Sequence, residues 1–444
     1  MTSENVFHFI KKYSIIPEND LNTYTINGTN VPFDSAIIYN FPTSHKCNVC
    51  VGAAQLEIYK KSGLLSEDKK IIENISKKLN ALKGLPLTTS EIDSILATTQ
   101  IESILQCLHF SEDVSLPEET FAFFIKHIKE MEKWSAQTYE NQGICFGIGI
   151  VPETRGTDIH IDALHDDDML KVLTSGVETL IVCDTKGKIV SYDKLPDPAR
   201  RASASYERER TSGSIHAFRK IASWSRNKLA VLLTQRGDIL LFADGVLKFA
   251  KRRSNWHIVR VTPLLHMMEE TRGFDPSLKT AIAETCLDAS FRRTGACIGI
   301  IDDDEVIPHV LQDDDIIDIA SKTRTKFFKR IVGQQPFQNI PREVRQELVA
   351  IDGATVLKKN GDIVAIGAIL KINNTPIHNR TMGGRSVAAQ QLACRGFGIK
   401  VSADGGITGW RNQHPQRNQC PREQGNNDSE CPSECHVEKC FELF

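Results

Sequence analysis

Ile351-Asp352-Gly353-Ala354-Thr355-Val356-Leu357 and Asn360-Gly361-Asp362-Ile363-Val364-Ala365-Ile366 open the stretch that decides the fold. After a polar loop come Gly383-Gly384-Arg385-Ser386-Val387-Ala388-Ala389 and Ile399-Lys400-Val401-Ser402-Ala403-Asp404-Gly405-Gly406-Ile407. Apolar runs broken by glycine turns predict strand, turn, strand, loop, helix, strand, turn, strand. That order implies an α/β fold, an α+β mixed sheet with flanking helices. Asp352 sits at the mouth of a strand, and Gly353 beside it lets a ligand approach the backbone. Gly383-Gly384-Arg385 opens a short Ala-rich helix, where unpaired amides, the positive helix end and a guanidinium make an anion site. A carboxylate facing an anion site is what a metal–phosphate ligand needs. A tight turn and a surface arginine would use the same residues, because isolated glycine motifs are weak signals.

These residues also carry a resemblance. The block resembles the second half of a diadenylate cyclase (DAC) domain, a family with an Asp-Gly-Ala motif and a later Gly-x-Arg-His-Arg-x-Ala motif. Asp352-Gly353-Ala354 matches the first. Gly383 to Ala389 matches the second, except that Ser386 and Val387 replace its His and second Arg. Upstream, Arg293-Thr294-Gly295-Ala296-Cys297-Ile298-Gly299-Ile300 is similar to the family's strand after Arg-x-Gly-Ala, and Val401-Ser402-Ala403-Asp404 to its Val-Ser-Glu-Glu. The likeness runs from about residue 275 to 412, one domain's length. Its wording is closer to the divergent DAC-like domains proposed as nucleotide sensors than to the cyclases.

The resemblance implies nucleotide contacts from Asp352, Gly353, Ala354, Gly383, Gly384, Arg385, Ser386 and Ser402. Two functions follow from it. One is a catalytically degenerate sensor of a nucleotide or nucleotide second messenger. The other is an active cyclase making cyclic di-AMP from two ATP. In the cyclase, two sites of a homo-oligomer meet face to face, and Asp352 is the catalytic ligand of Mg²⁺ or Mn²⁺. The departures favour the sensor, since Val387 cannot replace a phosphate-binding arginine. A structural subunit that borrows the fold is a third reading.

The chain has 444 residues, enough for two or three domains, with 41% hydrophobic and 25% charged residues. A net charge of -2 gives no general attraction to nucleic acid or anionic membrane. No apolar run approaches the ~20 residues of a membrane span, and Met1 to Asn5 shows no secretion signal, so a cytoplasmic protein is expected. The segmentation reads as a mostly helical region over 1–135, an α/β module over 136–270, the DAC-like domain over 271–412 and a Cys-rich polar tail over 413–444. Helices are expected from Ser66, Ser90 and Ser115. Asp315 should cap another, with Ile316, Ile319, Phe327, Phe328 and Ile331 inward.

Other clusters carry less. Cys47 and Cys50 have the spacing of half a zinc site, or are reduced thiols at a helix start. Cys431, Cys435 and Cys440, with Cys420 and His436, could close a zinc site, or belong to a disordered reduced tail. Cys107, Cys183, Cys286 and Cys297 read as small core residues. His160, Asp162, His165, Asp166, Asp167 and Asp168 are metal-ligand types in what reads as a solvated loop. Lys248, Lys251, Arg252, Arg253, His257 and Arg260 surround Trp256, which either stacks a base or is buried in a charged hairpin. Arg200, Arg201, Arg208 and Arg210 read as a basic loop beside them. The turns at 184–187, 235–238 and 359–362 recur in kind, as two related modules would, although glycine hairpins are common.

Overall fold

The computed structural model describes residues 3–14, 21–25, 40–43, 46–51, 54–60, 64–111, 113–152, 157–164, 170–197, 215–269, 273–301, 304, 306–317, 323–332, 335–371, 383–412 and 437–443. The chain forms two compact units, Met1–Arg260 and Val261–Phe444. Both are mixed α/β, as expected. Among the described residues no helix is long and apolar enough to cross a membrane.

The first unit begins with α1 (Ser3–Tyr13) and the strands β1 (Leu21–Thr25), β2 (Asn40–Thr43), β3 (Lys46–Val51) and β4 (Ala54–Lys60). They form a sheet in the order β1-β4-β3-β2. Cys47 and Cys50 therefore lie in β3 and not at a helix start. The alternating Cys47 and Val49 are both buried in the core, which a strand's two-residue period explains. Helices α2 (Ser66–Ala81), α3 (Thr89–Leu105) and α4 (Phe121–Trp134) follow. Ile71, Ile72, Ile75 and Leu79 form the buried stripe of α2. Ser66 is its first residue and not its cap; the Asp68 carboxylate accepts from the Leu65 amide instead, at 2.9 Å. Thr88 and Glu91 make the capping box of α3. Ser115 lies in a two-residue strand and caps nothing.

The large sheet of this unit contains β5 (Phe146–Ile150), β6 (Thr179–Cys183), β7 (Ile189–Lys194), β8 (Leu229–Leu233), β9 (Ile239–Ala243), β10 (Val246–Arg252) and β11 (Asn255–Ile258). Helix α5 (Arg219–Trp224) connects β7 to β8. The N-terminal helices and this sheet share one core, with Phe9, Ile71, Phe124, Phe146 and Trp256 in the same cluster. The described hairpin around Trp256 takes its bland form. Trp256 is 2% exposed, Lys251 bonds Glu132, and Arg252 pairs with Asp238 in the interior. Arg200, Arg201, Arg208 and Arg210 lie outside the described residues.

The second unit is built on α6 (Pro276–Arg292), β12 (Ala296–Ile300), α7 (Thr323–Ile331), α8 (Arg342–Ala350), β13 (Ala354–Leu357), β14 (Ile363–Ala368), α9 (Gly384–Ala393), β15 (Phe397–Val401), β16 (Ile407–Asn412) and β17 (Val437–Leu443). Asp275 caps α6 through the Ser277 and Leu278 amides. Helices α6 and α8 are joined by ion pairs at low exposure: Arg342 to Asp288 at 2.5 and 2.8 Å, and Arg345 to Glu284 at 2.8 Å. Asp315 does not cap α7. It is buried and accepts from the Ile369 amide at 3.0 Å, holding the connection against the end of β14. Phe327 and Ile331 are 57% and 55% exposed, contrary to the expected inward stripe. Helix α7 is instead seated by Thr325, which is buried and donates to the Asp314 carbonyl. The last strand corrects the reading of the tail, since Val437–Leu443 pairs antiparallel with β16.

Strand order in the first unit is β7-β6-β5-β8-β9-β10-β11, and in the second β14-β13-β12-β15-β16-β17. β5 and β6 are parallel, as are β12 and β13; every other neighbour in both sheets is antiparallel. Over six strands the two units have one topology.

Candidate functional site

The second unit gathers the expected residues at one end of its sheet. Strand β13 runs parallel to β12 with Thr355 opposite Ile298, so Asp352 and Gly295 both precede their strands at that end. Strand β15 runs the other way, with Val401 opposite Ala296, so the Ser402 turn closes the same end. The start of α9 lies there too, because its face rests on glycines of the sheet. An added Cβ would stand 2.6 Å from Arg385 Nη1 at Gly295, 2.7 Å from Leu392 at Gly299 and 1.7 Å from the Ala389 carbonyl oxygen at Gly398. Arg385, Ala389 and Leu392 are one face of a helix. Gly299 and Gly398 are paired neighbours, forming a flat floor beneath them.

Asp352 is placed by a second close approach. Gly353 has φ +106° and Gly367 φ +62°, both left-handed-side conformations that favour glycine. A Cβ on Gly353 would meet the Gly367 carbonyl carbon at 2.5 Å, and one on Gly367 would meet Ile351 at 2.7 Å. This pinch leaves the Asp352 carboxylate wholly exposed, 4.0 Å from Arg385 Nη2. So exposed a pair adds little to stability. Gly383, the N-cap of α9, and Gly384 are exposed, and an added Cβ on either meets nothing within 4 Å. Among the described residues nothing crowds these two positions, so the Gly384 and Arg385 amides stand clear beside a guanidinium, while the Ser386 amide turns back to the Gly383 carbonyl at 2.8 Å.

The other expected residues are placed differently. Ala354 and Ser386 are buried, so Ala354 offers only backbone and Ser386 faces inward. The Ser402 hydroxyl is engaged in its own turn, with Asp404 and with the Gly406 carbonyl at 3.1 Å. Asp404 also accepts from the Gly406 amide at 3.3 Å. Below the site, burial pushes the Cys297 thiol up to about 12, with Arg385 pulling weakly the other way. Sequence reasoning missed Gly295 as the seat of Arg385 and Gly367 as the partner of Gly353. Gly367, alone inside an apolar strand, was the available signal.

Elsewhere, Cys431 and Cys435 lie outside the described residues, and Cys440 is half-buried in β17. Cys47 is buried, which raises its thiol to about 12 and disfavours the thiolate a metal needs. Asp162 is held by Lys126 at 2.5 Å, with His160 at 3.5 Å and His127, a residue not anticipated, at 3.6 Å. Residues 165–168 lie outside the described set. Among the described residues no group of three His, Cys, Asp or Glu could hold a metal ion.

No family model and no curated protein matches this chain. Among solved structures it is similar to a hypothetical membrane spanning protein from Bacillus cereus, at 16% identity and TM-score 0.25, over 32% of this chain and 64% of that one. It is also similar to a double mutant of DacA from Staphylococcus aureus, at 16% identity and TM-score 0.20, over 32% of this chain and 80% of that one. This chain thus spans less than two thirds of the first of those proteins. Likenesses this distant carry no argument about site or activity.

Proposed function

We propose that the second unit is a DAC-like nucleotide sensor that binds phosphate groups between Arg385, the first-turn amides of α9 and the Asp352 edge, without turning the ligand over. The observation that supports it is the 4.0 Å approach of Asp352 and Arg385 beside a helix start that no described residue crowds. Arg385 and the amides neutralise phosphate oxygens. Asp352 fits as the one carboxylate that a nucleotide-borne Mg²⁺ or Mn²⁺ takes from a protein, the remaining ligands being phosphate and water. The bound metal would supply charge neutralisation. Val387 and the buried Ser386 supply no further cation at the helix start, and that deficit separates binding from transfer.

The test is calorimetric titration with ATP and with cyclic di-AMP. Arg385→Ala should weaken the better ligand about 10- to 100-fold, the loss of one charge-assisted contact. Unchanged affinity would remove the pocket assignment. Incubation with ATP and Mg²⁺ or Mn²⁺, followed by mass spectrometry, tests turnover. Cyclic dinucleotide that disappears in Asp352→Asn would replace the sensor with a cyclase.

A further inference from the structure

The two sheets correspond residue by residue as well as strand by strand. Ile148-Gly149-Ile150 of β5 and Ile298-Gly299-Ile300 of β12 are the same tripeptide at the same place. Gly149 lies between Val182 of β6 and Ala230 of β8, and Gly299 between Val356 of β13 and Gly398 of β15. A Cβ on Gly149 would stand 2.1 Å from the Trp224 ring, as one on Gly299 would stand 2.7 Å from Leu392. In each unit the helix between the third and fourth strands therefore lies directly on the first strand.

The turns agree as well. The Asp184 amide donates to the Lys188 carbonyl and Gly187 to Asp184, at 2.9 and 3.1 Å; Lys358 donates to Asp362 and Gly361 to Lys358, at 2.9 and 3.0 Å. Thr234 donates to Asp238 and Gly237 to Thr234, both at 2.9 Å; Ser402 donates to Gly406 and Gly405 to Ser402, both at 2.8 Å.

This correspondence reaches the candidate site. Four residues before Val182 and Val356 stand Glu178 and Asp352, so each unit has an acid before its second strand. In the first unit the acid is engaged. Lys220 of α5 donates to Glu178 at 2.7 Å and reaches Asp197 at 3.0 Å. Hydrogen bonding and charge from Lys220, then the charges of Lys194 and Arg219, hold the Asp197 carboxyl below its usual range. The cation has also moved along its helix. Seven residues before Leu392 is Arg385, but seven before Trp224 is Ala217.

We infer that the two units are copies of one module, and that the first copy keeps a phosphate-binding edge closed by its own carboxylates. Glu178 and Asp197 stand where oxyanions would, on Lys220, with the charges of Lys194 and Arg219 acting on Asp197. A polyphosphate enters that edge only when both carboxylates lose their charge, and the chain takes one nucleotide, on the second unit. The closure takes its phosphate chemistry from the site proposed above for the second unit, and the count of one takes its nucleotide from the same reading.

The closure is tested with inorganic tripolyphosphate on the full chain carrying Arg385→Ala, which disables the second edge. Calorimetry should show no binding. Adding Glu178→Gln and Asp197→Asn should raise tripolyphosphate binding from below detection to one per chain, a gain of about tenfold or more, and Lys220→Ala should abolish it again. No gain, or a gain that survives Lys220→Ala, overturns the closure. Glu178 and Asp197 are exposed and Lys220 is half-buried, and unchanged circular dichroism of each variant confirms an intact fold. The count is tested by equilibrium dialysis of the unsubstituted chain with ATP. One per chain, lost in Arg385→Ala, is expected. Two per chain, or one that survives Arg385→Ala, overturns the count. No ATP at all overturns the nucleotide reading, while tripolyphosphate still decides the closure.

Discussion

Before β13 the Asp352 carboxylate stands in solvent 4.0 Å from its arginine; before β6 the Glu178 carboxylate touches its lysine at 2.7 Å. The frames beneath them share strand order, strand direction, turn hydrogen bonds and a glycine under the connecting helix. The helices differ. α9 has ten residues and starts at exposed glycines, whereas α5 has six, led by a 3-10 turn with Phe218 buried. One backbone plan thus presents either an open acid–base edge or a filled one, and a handful of side chains at the sheet end decides which. This is the physical content of fold not fixing function.

The sharpest way to separate the two units is through their interior charges. Asp288 is almost fully buried and holds Arg342 with two bonds. Asp288→Ala should cost about 3 kcal/mol or more, because it removes both of these bonds from the largely covered Arg342 guanidinium, which keeps Glu284 at 3.5 Å. Calorimetry should place the loss in the second unit, and a cost under about 1 kcal/mol would show that the α6–α8 network is ornamental. Next in size is Gly398→Ala. Its Cβ meets backbone, the Ala389 carbonyl, which cannot swing away, so the cost is about 3 kcal/mol. The variant should also lose its nucleotide-induced thermal shift, whereas Gly149→Ala, which strikes the Trp224 ring, should keep it. A Gly398→Ala protein that still binds would detach the anion site from α9.

A pH titration sharpens the contrast from the other side. Burial, and then the charge of Arg252, push His257 of the first unit down to about 4. The unfolded chain takes that proton near pH 6.5, but the folded one not until about pH 4. Between these values the unfolded state binds more protons, so stability is full above pH 6.5 and falls as the pH drops toward 4, by about 3 kcal/mol. His257→Gln should flatten that slope in urea titrations at pH 7 and pH 4.5. Smallest is the pair Ser402→Ala and Thr234→Ala. Each removes a hydroxyl from an equivalent turn and should cost about 1 kcal/mol. Neither should change nucleotide affinity; a selective loss in Ser402→Ala would make its hydroxyl a ligand contact.

Much of the second unit was legible because its signals are local. The strand after Asp352, the glycine-led helix at Gly384 and the hairpin at Asp404–Gly406 each announce themselves within a few residues. A carboxylate facing the glycine-led helix was readable from the residues themselves, and Asp352 and Arg385 lie 4.0 Å apart. What stayed hidden depends on partners distant in the chain. Lys220 meets Glu178 across 42 residues, and no window of sequence records that. The Cys47–Cys50 segment is different, since it pairs with the neighbouring Asn40–Thr43 and Ala54–Lys60, and the alternation of Cys47 and Val49 with Asn48 and Cys50 was the available signal. Phe327 and Ile331 fit a helical stripe, yet the burial of Thr325 turned the helix the other way. The unit boundary at Arg260 was equally obscure, since the N-terminal helices complete the core of a sheet that starts near residue 146. The doubled plan survives at sequence level as little more than Ile-Gly-Ile, because Val, Ile, Leu and Ala interchange in sheet cores at modest cost.

The closing strand β17 has a practical consequence. The Phe441 ring covers Gly409, where a Cβ would sit 2.2 Å from it, and Val437–Leu443 occupies the hydrogen-bonding edge of β16. A shortened chain stopping after Asn412 would bare a row of amides and carbonyls beside Trp410, a template for strand addition by any neighbouring molecule. Precipitation or oligomers in such a truncation would report this uncovered edge, and would say nothing about how the intact protein assembles.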